Sequence, residues 1–414
     1  MSAESGQRPT GNIGNWTALG LAIAVSIPWS WIAITGSHAA GSNLLVALLS
    51  GVSILGAAFL LSWAVETAEM DLPESLAVTI LALVAVLPEY AVDATFAWKA
   101  ATDPQQAAFA VANMTGGNRL LLGLGWSTLV FLAWARFGKS GIELPRKTGI
   151  DISILWIASF VAFLPVWRGA ITLVDTAIFL FLFVLYVFAA LRAHQKHGED
   201  EEPVLIGPSA LLGSFEDGPR RTLLIIVLLW SCAVIFLAAE PFAESLVHTG
   251  QEFGLNEFLL VQWVAPLASE APEFVVASLL VLRGQITKGM LALVSSKVNQ
   301  WTLLVGTLPV VTSISGGRVM DLPMDGRQQQ EVFLTAAQSI FGVAVLANLE
   351  LTRWQAMMLA GLFVGGLVAT TQETRAIFSW FYLISAAVII LCFAENRNGL
   401  KSSFKFLIQT LRRN

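Results

Sequence analysis

The sequence predicts an all-α, polytopic membrane protein of about twelve transmembrane helices, arranged as two inverted five-helix repeats with one flanking helix at each end. Three observations carry the prediction. Apolar runs of about 20 residues recur through all 414 residues, each long enough to cross a bilayer as a helix. Lysines and arginines gather in alternate connecting segments. A Pro-Glu step inside an apolar run occurs twice, once in each half.

Hydrophobic residues make up 56% of the chain and charged residues 13%, about half the share of a soluble domain. The polar gaps are too short for a separate soluble domain, and a net charge of −5 points away from nucleic acid. Cys232 and Cys392 lie within apolar runs and form neither a disulfide framework nor a metal-binding spacing. No nucleophile triad, phosphate loop or metal-hydrolase helix stands out, so neither an enzyme nor a tightly bound cofactor is expected.

The spans fall at about 15–35, 43–65, 74–98, 105–134, 150–167, 172–194, 221–247, 256–282, 287–315, 331–349, 353–371 and 376–395. Their length, and the lack of strict alternation, favours helices over barrel strands. The first run is longer than a signal-peptide core and is expected to stay in the protein. The halves are 1–194 and 220–414, joined by a segment at about 195–219 whose acidic stretch, His197 to Pro203, reads as a solvated linker. The basic tail from Asn396, with Phe404, Phe406, Leu407 and Leu411, is expected to lie on an anionic inner leaflet.

Charge sets the orientation. With the N-terminus inside, seventeen of the 24 lysines and arginines fall in inner segments and five in outer ones, while Arg119 and Lys297 lie within spans. This bias predicts a cell-membrane protein with both termini cytoplasmic. The third span then runs outward and the eighth inward, so repeats over the second to sixth and seventh to eleventh spans are inverted.

Charged residues and proline at membrane depth are costly, and a proline frees a backbone carbonyl one turn earlier. Both features occur in Leu87-Pro88-Glu89-Tyr90 and again in Ala271-Pro272-Glu273-Phe274, 184 positions on. Each copy precedes a helix of small residues with an asparagine, Thr115-Gly116-Gly117-Asn118 and Ser295-Ser296-Lys297-Val298-Asn299. Irregular backbone at this depth is tolerated where it lines a polar cavity, so the site is expected at mid-membrane between the repeats.

Over about 80–125 and 262–307 the pattern resembles the two alpha repeats of the calcium/cation antiporter superfamily, the sodium–calcium exchangers and their relatives. The resemblance implies a secondary cation antiporter that exchanges calcium for sodium or protons by alternating access, with inorganic cations and the bilayer as partners. A monovalent sodium/proton-type exchanger, a passive cation channel and a non-transporting scaffold are the alternatives. Glu89 and Glu273 are the expected cation ligands, suited to calcium's preference for carboxylate oxygens. Asn118 and Asn299 come next, followed by Thr115, Ser269, Ser295 and Ser296.

The sequence departs from the family's pattern in three places. The hydroxyls that usually precede the first Pro-Glu are replaced by Val84-Ala85-Val86, the second copy has gained Glu270, and Lys297 stands in a helix usually rich in Gly, Ser and Asn. Charge balance predicts pairs of Lys297 with Glu270 and of Arg119 with Asp93, because a lone buried charge costs several kcal/mol. These four residues are the candidate coupling groups.

Overall fold

A computed structural model describes residues 13–35, 42–71, 86–197, 205–368 and 371–412. The start of the third span, with Glu74 and the Val84-Ala85 step, lies outside the described residues, as does most of the acidic linker stretch.

The first half comprises α1 (Ile13–Thr35), α2 (Asn43–Ala68), α3 (Leu87–Lys99), α4 (Pro104–Leu120), α5 (Trp126–Phe137), α6 (Gly149–Val161), α7 (Phe163–Arg168) and α8 (Leu173–His197). A short helix, α9 (Pro208–Gly213), leads to the second half. There α10 (Asp217–Phe253), α11 (Glu257–Leu282), α12 (Ile286–Asn299), α13 (Val305–Gly316), α14 (Gly326–Leu346), α15 (Arg353–Val368) and α16 (Gln372–Cys392) precede a terminal helix, α17 (Ala394–Arg412). The predicted spans fall on these helices. Length and apolarity alone mark eight helical stretches of the described chain as membrane-crossing, with α15 a shorter apolar helix. The remaining predicted ranges are α3, α12 with α13, and α14. These carry buried polar residues such as Asp93, Lys297 and Glu331, and the described part of the third range, α3, is only 13 residues long.

Polarity is arranged for lipid. Large apolar side chains such as Leu21, Leu48, Phe181, Leu229, Leu267 and Ile384 lie on the outside, while Asp93, Asn118, Gln262 and Glu331 are sealed within. In hydrocarbon this distribution costs nothing outside and lets the interior satisfy its polar groups internally.

Two short ribbons tie the halves together. Strand β1 (Gly141–Glu143), after α5, pairs antiparallel with β4 (Glu350–Thr352), before α15. Strand β2 (Ala170–Ile171), after α7, pairs with β3 (Leu322–Pro323), before α14. The first ribbon joins two segments that the charge bias puts inside, and the second joins two that it puts outside. Other connections obey the same partition. Arg220 reaches Asp71 at 2.8 Å, Thr287 bonds the Glu143 carbonyl at 3.2 Å, and Arg327 bonds Asn256 at 3.2 Å. Lys99 pairs with Glu240 at 3.0 Å and also with Glu244, closing the outer end of α10.

Two expectations about the connections change. The linker is not wholly solvated: Leu211 and Leu212 are buried, Ser209 Oγ donates to Glu66 Oε2 at 2.5 Å, and Thr67 Oγ1 donates to the Ser209 carbonyl at 3.2 Å. Its apolar residues give α9 a face to bury against α2. The tail helix α17 docks on protein, with Leu407 and Ser403 buried, Asn396 Nδ2 donating to the Ala344 carbonyl at 2.9 Å, and Arg192 donating to the Leu411 carbonyl at 2.8 Å. Its exposed face carries Lys401, Lys405 and Arg412. Cys232 and Cys392 are free thiols.

Candidate functional site

The site is assembled from two helical hairpins. In the first, α3 and α4 lie antiparallel. Phe96 packs on Phe109 with ring centroids 5.7 Å apart, and Asn113 Nδ2 donates to Asp93 Oδ1 at 2.9 Å. In the second, α11 and α12 lie antiparallel, with Ala277 beside Gly289 and Ser296 Oγ donating to Glu273 Oε2 at 2.5 Å. Contacts between α4–α5 and α11 advance together along both chains, from Gly116 against Gln262, through Gly117 against Glu270, to Gly125 against Phe274. The α4–α5 segment therefore runs parallel to α11, and α3 runs antiparallel to it. The two Pro-Glu helices are inverted relative to each other.

Glycine makes the crossing possible. A Cβ at Gly116 would stand 1.8 Å from the Gln262 carbonyl oxygen, which is backbone and cannot swing aside. At Gly117 it would stand 2.2 Å from Oε1 of Glu270 and 3.1 Å from Oε1 of Glu89. Carboxyl groups from opposite repeats thus converge on one glycine, separated by no more than the sum of those two distances. Both helices that follow the Pro-Glu helices then loosen into a π-helical turn just after the asparagine, at Leu121–Gly125 and at Gln300–Leu304. Such turns shift the hydrogen-bond ladder and occur often at functional sites.

Glu89 and Glu270 are 3% and 2% exposed, and Glu273 is half-buried. Oε1 of Glu89 and both carboxyl oxygens of Glu270 have no well-formed hydrogen-bond partner among the described residues, although buried carboxyl groups are nearly always satisfied. Asp93, Glu270, Glu273 and Lys297 are the charged groups that face Glu89. The arrangement offers unsaturated oxygens to a cation or a proton. Among the described residues, no three His, Cys, Asp or Glu side chains form a ready-made metal cage, so a divalent ion here would draw on amide and backbone oxygens as well.

The other candidate residues separate into distinct surroundings. Asn118 has its amide oxygen engaged by Lys297 Nζ at 2.7 Å, and the same ammonium donates to the Asn118 carbonyl at 3.1 Å. Asn299 is buried one turn from Ser295 and Ser296. Ser295 donates to Asp151 at 3.2 Å, where Tyr186 also donates at 3.0 Å, so it points away from the carboxyl groups that Ser296 faces. Thr115 donates to the Val111 carbonyl at 2.7 Å, and Ser269 to the Ala265 carbonyl at 3.2 Å, each within its own helix.

Among the described residues, neither expected pair closes as a salt bridge, although Lys297 and Glu270 stand near enough to interact electrostatically. Lys297 turns to Asn118 rather than Glu270, because the crossing of α12 over α4 brings the amide within reach of its Nζ. Arg119 turns away from Asp93 and pairs with Glu331 of α14 at 2.9 Å, while stacking over the Trp263 ring at 4.9 Å. Arg375 of α16 pairs with the other oxygen of Glu331, and Gln262 donates to Glu331 at 3.0 Å. Adjacent positions on a helix point about 100° apart, so Arg119 faces the buried Glu331 while Asn118 faces Lys297. Glu331 and Gln262 are not legible as site residues from the sequence. Glu331 is the first residue of the predicted span 331–349, where a charged residue reads as a span end. The signal that could have found it is Arg119 itself, since a cation inside a span requires a buried partner.

Both the sequence and the fold have known relatives. The model of the family described as "Sodium/calcium exchanger protein" matches residues 42–192 and 223–372, one block in each half. A solved structure titled as a crystal structure of the H+/Ca2+ exchanger CAX is 39% identical and superposes with a TM-score of 0.90, covering 97% of this chain and 99% of that one. The native structure of YfkE is 13% identical with a TM-score of 0.59, covering 88% of this chain and 99% of that one, a likeness of fold. The putative antiporter CaxA of Alkalimonas amylolytica is 22% identical over 257 residues, 62% of this chain and 74% of that protein.

Proposed function

Because the chain belongs to the sodium/calcium exchanger protein family, we propose that it is a multi-pass secondary antiporter that moves calcium against protons or sodium by alternating access. The single observation that carries this reading is the meeting of Glu89 and Glu270 at Gly117, with Glu273 one turn away from Glu270. Carboxylates from opposing repeats supply the charge that a divalent cation needs. A proton on either one removes that charge, so calcium and the counter-ion compete for the same oxygens and exchange follows. The 39% identical relative is described as an H+/Ca2+ exchanger, which favours protons as the counter-ion. The lysine and arginine bias supports a cell-membrane location with both termini in the cytoplasm.

The reading is tested in proteoliposomes loaded to impose proton or sodium gradients, with radiolabelled calcium uptake measured for wild type, Glu89→Gln, Glu270→Gln and Glu273→Gln. Uptake is expected to follow an imposed gradient in wild type. Glu89→Gln and Glu270→Gln are expected to reduce it by roughly a hundredfold, as for loss of a buried charged ligand. Glu273→Gln, whose carboxylate already holds Ser296, is expected to retain more activity. Calcium uptake that neither gradient drives would overturn the substrate. Uptake unchanged in all three variants would overturn the site.

A further inference from the structure

We infer that Lys297 is a tethered monovalent cation, a resident ammonium that occupies the Asn118 oxygens between the repeats and thereby excludes sodium as a counter-ion. The inference rests on the antiport reading above and specifies its coupling ion. An ammonium has three donors and no acceptor. Here two donors go to the carbonyl and the amide oxygen of Asn118, and the charge lies 4.9 Å from the centroid of the Trp301 ring. The partners are neutral oxygens and a π face, which is also how a protein holds a bare monovalent cation. Lys297 is 1% exposed, so no solvent competes for it. Its charge faces Glu270 and Glu89, yet among the described residues it makes no ion pair with either one. Both carboxyl groups are left open to the transported ion.

Sodium at this position would need the same two Asn118 oxygens and would stand beside a fixed positive charge. Asn118 also orients its own amide, donating Nδ2 to the Met114 carbonyl at 2.9 Å, so its oxygen is committed to the side from which Lys297 approaches. A proton needs no coordination shell, and its binding to Glu89 or Glu270 is not blocked by an ammonium seated on Asn118. The lysine therefore discriminates between counter-ions by filling a coordination position.

The test compares wild type with Lys297→Ala, which vacates the oxygens and the charge, Lys297→Gln, which keeps a hydrogen-bond donor without charge, and Lys297→Arg, which keeps the charge. The readouts are sodium inhibition of proton-driven calcium uptake in proteoliposomes and, on the purified full chain, the sodium-dependent shift of the unfolding midpoint. Wild type and Lys297→Arg are expected to ignore sodium in both. Lys297→Ala and Lys297→Gln are expected to gain sodium inhibition at concentrations at least about tenfold lower, because a unit charge a few ångströms from an ion changes its affinity by orders of magnitude. They are also expected to gain a sodium-dependent upward shift in midpoint. The midpoint reports sodium binding without any transport, so a failure of calcium exchange in wild type would sink the antiport reading and leave this test standing. Sodium-driven calcium uptake by wild type, or a folded Lys297→Ala and Lys297→Gln that both stay indifferent to sodium, would overturn the inference.

Discussion

The two hairpins that build the site share a plan and divide the work. The first, α3 with α4, contributes shape and one carboxylate: Gly116 and Gly117 let α11 approach until backbone nearly touches backbone, Glu89 meets Glu270 at Gly117, and Asp93 is turned inward onto Asn113. The second, α11 with α12, contributes two further carboxylates and a cation: Glu270, Glu273 and Lys297 stand on it, within one or two helical turns of one another or across the hairpin. An inverted repeat supplies two copies of a scaffold, and the chemistry of the two copies need not be the same. The equivalent of Glu270 in the first copy is Val86, which is apolar and buried.

The division of work can be broken most severely at Glu331. The cation beside Asn118 in the first hairpin, Arg119, is balanced by this buried carboxylate, which also serves Arg375. Glu331→Ala leaves that buried charge uncompensated and is expected to cost about 3–5 kcal/mol, read as a lower unfolding midpoint in detergent. A midpoint equal to wild type would show that the first hairpin does not depend on Glu331.

A sharper test sets Asn113→Ala against Ser296→Ala. Each removes the hydrogen-bond donor of one acidic side chain, Asp93 in the first hairpin and Glu273 in the second. A hydrogen bond to a charged group contributes about 1.5–3 kcal/mol. The cost is expected to appear as lost stability for Asn113→Ala and as a changed apparent calcium affinity, by roughly tenfold or more, for Ser296→Ala. Equal effects on affinity would mean that both hairpins bind the ion alike.

The smallest effect is expected outside both hairpins, at the inner end of α2. The Arg220 guanidinium, hydrogen-bonded to Asp71 at 2.8 and 2.9 Å and assisted by Arg221, holds the Asp71 carboxyl down to about 2 from its ordinary 3.8. A depressed carboxyl group stabilises the fold above its unfolded value and loses that contribution as pH falls through its folded value. Asp71→Asn is therefore expected to lower the midpoint modestly at neutral pH, and the gap to wild type should close between pH 3.8 and about 2. Calcium exchange should be untouched. A gap that stays constant across that range would remove the ion pair as its cause.

The sequence by itself determined where the long apolar helices fall and the position of both Pro-Glu steps, and it predicts a partition between two sides, because apolar run length and lysine placement are local properties of the chain. The ribbons β1–β4 and β2–β3 join segments already assigned to common sides. Only the tertiary structure decided which charge meets which. Arg119 finds Glu331, Lys297 finds Asn118, and Glu89 meets Glu270, because helix rotation and the glycine-permitted crossing choose among several partners that charge balance alone treats as equal. Rotation about a helix axis is set by packing against distant segments, and neither run length nor charge count carries it.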